Sequence, residues 1–166
     1  MTELFTRPFE DLAAGERFTT RGRTVTEADV VGFAHLTGDF HPQHTDSEWA
    51  ANSAFGERIA HGLLVLSYAA GLVPFDPARV VALRRVRDVV FKRPVYLGDT
   101  IRVEGKVAEV TELDDATGMV AFALTVVGAG ARTVARATVE VIWARTNNGA
   151  AAADDTAADA LTCVPL

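Results

Sequence analysis

Between Ile59 and Val73 the chain runs through Leu63, Leu64, Leu66, Ala69, Ala70 and Leu72, which leave almost no polar side on a helix. A helix that is apolar all round is stable only inside a fold. Whatever else this chain builds, it must supply a surface that wraps the segment from Ile59 to Val73. Gly71 points to close packing late in the helix, and Val73-Pro-Phe-Asp-Pro77 breaks it.

The wrapping surface is readable downstream. Ile101, Val103, Gly105 and Val107 alternate with Arg102, Glu104, Lys106 and Ala108, the period of a strand with one polar face. Val120 to Gly128 and Thr133 to Ala144 read as two further strands, separated at Gly128-Ala-Gly130, and Glu112 to Gly118 as a hairpin connection. Upstream, Arg17 to Val25 reads as another strand weakened by Gly22. Strands set around one buried helix predict an α+β domain with an antiparallel sheet.

The 166 residues suffice for one domain with a real core, expected over 1–146. Residues 147–166 are Ala/Asp-rich with little to bury, and are expected to form a flexible tail. A formal net charge of -6 argues against nucleic acid as the main partner. The single cysteine, Cys163, allows no intramolecular disulfide. Neither a signal-peptide pattern nor an apolar run of membrane-spanning length is present, so a cytoplasmic chain without membrane association is expected.

Glu27 to Leu36 reads as a helix, with Thr26 as N-cap and Glu27 and Asp29 at its positive end. Val30, Phe33 and Ala34 share one apolar face, and Gly38 suits a left-handed stop. Asp39 then falls in a loop, with His44 five positions on. Pro42 stiffens the span between them, and a further helix is expected to begin near Asp46. A carboxylate and an imidazole held together can work on water as an acid/base pair. Taken alone, the pair reads more simply as a capping aspartate and a surface histidine. A second cluster, Arg58-Ile-Ala-His61-Gly62, opens the apolar helix. Arg58 is read there as a solvated charge or a support for His61, and His61 as a first-turn histidine or a participant in chemistry. His41 and His44 lie close in sequence, but no cysteine supports them, so neither a metal nor a cofactor is expected.

Gly38-Asp39-Phe-His41-Pro42-Gln-His44-Thr-Asp46 resembles the Gly-Asp-x-Asn-Pro-x-His-x-Asp signature of the MaoC-like (R)-specific enoyl-CoA hydratase family, departing from it at His41, where the family has Asn. Phe55 to Leu64 resembles the family's second motif, and the resemblance runs from about Phe9 to Ala144. It implies a hot-dog fold, an antiparallel sheet wrapped around a central helix. It also implies reversible hydration of a trans-2-enoyl thioester carried on coenzyme A or an acyl carrier protein, with an (R)-3-hydroxyacyl product. By the same resemblance Asp39 and His44 hold the water, and the Gly62 N–H receives the thioester oxygen. His61 and Ser67 are further candidates for the substrate site. The helix position that carries a serine in some hydratases aligns with Ala70. Arg84, Arg85 and Lys92 lie in the most basic stretch and are candidates for the phosphates of coenzyme A, although each alone reads more simply as a charge on a solvent face. A homodimer or dimer of dimers is also implied. The alternatives are an oxepin-CoA hydrolase-like enzyme of the same family and a non-catalytic acyl-thioester-binding subunit.

Overall fold

A computed structural model describes residues 3–146. In chain order its elements are α1 (Glu3–Thr6), β1 (Arg17–Thr19), β2 (Arg23–Thr24), α2 (Glu27–Thr37), α3 (Pro42–Thr45), α4 (Ser47–Ala51), α5 (Gly62–Leu72), β3 (Val80–Phe91), β4 (Thr100–Glu112), β5 (Thr117–Val127) and β6 (Thr133–Ala144). The strands pair antiparallel in the order β1-β4-β5-β6-β3, and β2 pairs with the start of β4. Strand β4 buries Ile101, Val103 and Val107, the alternate positions expected of it. These side chains form one core with Leu64, Val65, Ala69 and Leu72 of α5. A sheet wrapped on a helix is the hot-dog arrangement. The core includes Phe5, Phe18, Phe122 and Trp143, with Phe5 centred 5.0 Å from Phe18 and 5.9 Å from Phe122.

Several expectations need correction. The central helix begins at Gly62, not Ile59. Ile59 bridges to Tyr96 and the Ala60 N–H donates to the Val95 carbonyl at 2.8 Å, which commits these residues to extended pairing. Nor is α5 covered on every side: Leu63 is 61% exposed, because one sheet covers only one face of a helix. Arg17 to Val25 is two short strands, β1 and β2, with Gly22 between them. The span from Pro42 to Thr45, expected as loop, makes one helical turn. The basic stretch becomes β3, an edge strand paired on one side with β6 and exposing Val81, Leu83 and Val90. The expected tail, with Cys163, lies outside the described residues.

Candidate active site

The site grows from the two ends of α2. At the N-terminus the Thr26 hydroxyl accepts the Asp29 N–H while the Asp29 carboxylate accepts the Thr26 N–H, a reciprocal capping box. Tyr68 of α5 donates its hydroxyl to Asp29 at 2.5 Å, and Arg23 pairs with the same carboxylate at 3.2 Å. Burial pushes the Asp29 pKa up, but these donors outweigh it and hold the group at about 2. At the other end Gly38 takes φ 78°, the left-handed stop, and its N–H closes on the Ala34 carbonyl. The chain then turns sharply into Asp39.

From Asp39 the loop is tied residue by residue. Asp39 Oδ1 accepts the His41 N–H at 3.2 Å. The His41 ring Nδ1 accepts the Gln43 N–H at 3.1 Å and so caps α3, with Pro42 at its first position. The His41 carbonyl accepts the His44 N–H at 2.9 Å. His44 Nδ1 lies 2.7 Å from the Ile59 carbonyl. A carbonyl can only accept, so Nδ1 carries the proton and Nε2 keeps its lone pair when the ring is neutral. Burial lowers the His44 pKa, helped by the neighbouring His61 and His41 and opposed by the Ile59 bond and the Asp39 charge. The outcome favours the neutral ring, the form a general base needs.

His61 joins the two. It is 3% exposed and heads α5, and its Nε2 donates to the Asp39 carbonyl at 3.0 Å. Its ring stacks on His44 with centroids 3.8 Å apart. One oxygen of Asp39 and one ring nitrogen from each of His44 and His61 lie within 4.8 Å of one another. Two hydrogen bonds of about 2.8 Å to a shared water span such a gap. The three donors are also of metal-ligand type, a grouping that corrects the sequence reading, which paired His44 with His41. Each of the two histidines bonds a backbone carbonyl through one ring nitrogen. A neutral ring held in this way keeps its other nitrogen as an acceptor, for water or for a metal.

His44 and Gly62 open onto a cavity of about 290 Å³, lined also by Phe55, Val65, Phe91 and Lys92. Gly62 is the first residue of α5, so its N–H has no partner within the helix. A Cβ at this position would sit 3.1 Å from the Phe91 ring, so glycine is what lets that ring pack closely on the helix terminus. The Asp39 side chain is 52% exposed and stands beside the cavity rather than in its wall.

Other predicted residues fall differently. Ser67 is exposed, donates to the Leu63 carbonyl at 2.8 Å and lies outside the cavity wall. Arg85 is also outside the wall and makes a two-bond pair with Glu140, which Arg87 joins at 2.6 Å; a carboxylate only 2% exposed needs such partners. Arg84 is engaged in a contact of its own and does not line the cavity, whereas Lys92 lines the wall beside Arg93, another cation of the same basic stretch. Arg58 supports α2 rather than His61, pairing with Glu27 at 2.9 Å. The Asn-to-His departure has a local explanation: a neutral imidazole supplies the capping acceptor that an amide oxygen would.

The family model for the MaoC like domain matches residues 10–141. Protein MaoC of Klebsiella aerogenes is 44% identical over 100 residues, covering 60% of this chain but only 30% of that protein. The 3-hydroxybutyryl-CoA dehydratase of Methylorubrum extorquens is 37% identical over 116 residues, 66% of this chain and 69% of the relative. Among solved structures, the monoamine oxidase regulatory protein of Archaeoglobus superposes with a TM-score of 0.80 at 39% identity, covering 84% of this chain and 95% of that one. A Mycobacterium tuberculosis protein described as a double hotdog fold shares the fold at 21% identity and a TM-score of 0.75, covering 88% of this chain and 46% of that one. By the extent of the family match, together with this shared architecture, the chain belongs to the MaoC-like domain family.

Proposed function

We propose that this chain catalyses the reversible addition of water to a trans-2-enoyl thioester carried on coenzyme A or an acyl carrier protein. The observation that carries the reading is the shared reach of Asp39 and His44 onto one water-sized gap beside the Gly62 helix terminus. The activity named for the Methylorubrum relative, dehydration of a 3-hydroxybutyryl thioester, runs the same reaction in reverse.

In the hydration direction His44 Nε2 takes a proton from water while Asp39 orients it. The water oxygen bonds to C3, and the C2–C3 π electrons move onto the thioester oxygen. Charge developing there meets the Gly62 N–H at the positive end of α5. A proton returns from the acid/base pair to C2, so one water is consumed and no electrons are exchanged. Phe55, Val65 and Phe91 offer the acyl chain an apolar wall, and Lys92 and Arg93 offer cations to the phosphates of the carrier.

We further propose that residues 1–146 act as one cytoplasmic domain and that two copies pair into a homodimer, or a dimer of dimers. The support for pairing is β3, a twelve-residue edge strand with Val81 58% and Leu83 59% exposed. Sedimentation of the intact chain tests it, and a monomer at all concentrations rejects it. The function is tested by crotonyl-CoA hydration, followed as loss of enoyl-thioester absorbance, for wild type, Asp39→Asn and His44→Ala. Turnover lost in both folded variants supports the assignment, whereas turnover that survives both removes the mechanism.

A further inference from the structure

We infer that His41 is a positioning residue that organises the Asp39–His44 loop only while its imidazole is neutral, which makes the site sensitive to acid through a group outside the chemistry. The inference rests on the proposed roles of Asp39 and His44. His41 touches both by its backbone: its N–H donates to the Asp39 carboxylate at 3.2 Å, and its carbonyl accepts the His44 N–H at 2.9 Å. Its ring holds the same turn from the side, with Nδ1 accepting the Gln43 N–H at 3.1 Å.

That last bond depends on a lone pair. A protonated imidazole donates from both nitrogens and accepts at neither. Protonation therefore turns the α3 cap into two donors facing one another and loosens the turn that carries His44. An Asn at this position supplies a capping oxygen with no proton to gain. Asn here would cap α3 without acid sensitivity, and His41 introduces it.

Asp39 faces His41 through its carboxylate, and the His44 ring lies 6.2 Å away across α3. Trp49 of α4 packs edge-on at 5.4 Å. Asp46, the other carboxylate of this corner, is spent on the Glu48 and Trp49 amides at the start of α4. His61 reaches the corner through its stack on His44 and through its Nε2 bond to the Asp39 carbonyl at 3.0 Å. Thr45 donates its hydroxyl to the His41 carbonyl at 3.3 Å, which ties the backbone of the turn but leaves the ring alone.

The test compares full-length wild type, His41→Asn and His41→Ala between pH 8 and pH 5.5. The first readout needs no turnover: the Gln43 amide in a proton–nitrogen correlation spectrum. It is expected to shift with the His41 titration in wild type and to stay in place in His41→Asn. A Gln43 amide that ignores the His41 titration overturns the inference. The second readout is the ratio of kcat/KM at pH 8 to that at pH 5.5 with crotonyl-CoA. It is expected to be about fivefold larger in wild type than in His41→Asn. At pH 8 itself His41→Ala is expected to fall about fivefold below His41→Asn, which keeps an acceptor. Equal ratios, or equal activity of the Asn and Ala variants at pH 8, overturn the positioning role. Absence of wild-type turnover counts against the hydratase reading and leaves the amide shift to decide the cap.

Discussion

Two aspartates bracket α2, and they are used in opposite ways. Asp29, at the start, is 17% exposed and takes hydrogen bonds from the Thr26 amide and hydroxyl, Tyr68 and Arg23. Asp39, just past the end, is 52% exposed and among the described residues its carboxylate holds only the His41 amide at hydrogen-bond distance, with the His61 ring 4.0 Å away. A carboxylate whose lone pairs are all engaged fixes structure and resists protonation. One with lone pairs to spare can turn towards water or substrate. The helix between them transmits position: Tyr68 and Arg23 lock its first turn, and Gly38 aims whatever follows its last.

The sharpest way to break the contrast is to exchange the consequences of losing each end. Asp39→Asn and His44→Ala are expected to lower kcat/KM for crotonyl-CoA by about 10²- to 10⁴-fold while moving the urea midpoint little. Asp29→Ala is expected to do the reverse first, costing about 2 kcal/mol of stability in urea unfolding, since it removes a capping box and the acceptor for Tyr68 together. A large stability loss in Asp39→Asn would erase the distinction.

Acid sharpens it. The Asp29 pKa in the folded chain is about 2, below its ordinary 3.8. Its contribution is therefore fully present above pH 3.8 and is lost as pH falls through about 2, and amounts to about 2 kcal/mol at neutral pH. Tyr68→Phe removes one donor, so the folded pKa rises towards the ordinary value and the acid loss, which still begins near pH 3.8, is smaller and levels off at a higher pH. Unfolding free energies measured from pH 5 to pH 2 should show about 1 kcal/mol less pH dependence in the variant. At the other end, burial lowers the His44 pKa, so the acid limb of kcat/KM in His41→Asn should lie below the ordinary histidine value of about 6.5. The smallest effect belongs to Arg58→Ala. Its pair with the mostly exposed Glu27 is expected to contribute only about 0.5 kcal/mol.

Much of this corner was legible because its chemistry is local. The Thr26 cap, the face of Val30 and Ala34 and the Gly38 stop each depend on neighbours within a turn or two. The capping box was missed although Thr26-x-x-Asp29 carries its pattern, with aspartate in the place of glutamate. What escaped reading was long in sequence. The His44 ring bonds a carbonyl fifteen residues away, and His61 bonds one twenty-two residues away. No periodicity records such links. Arg85 looked like a cation awaiting phosphate because Glu140, its partner across β3 and β6, lies 55 residues on.

By itself the sequence determined the alternating strands of the sheet, the helix that needs covering, the stops and caps of α2 and the order of the two motifs. These follow from side-chain period and from backbone angles that glycine and proline set within a few residues. Only the tertiary structure decided which face of α5 stays open, that Phe91 closes over Gly62, and that His61 stacks on His44 beside Asp39. The physical reason is that hydrophobic burial is non-directional. It demands that α5 be covered without saying by what, and the antiparallel register of β3 on β6 brings Phe91 to the helix terminus.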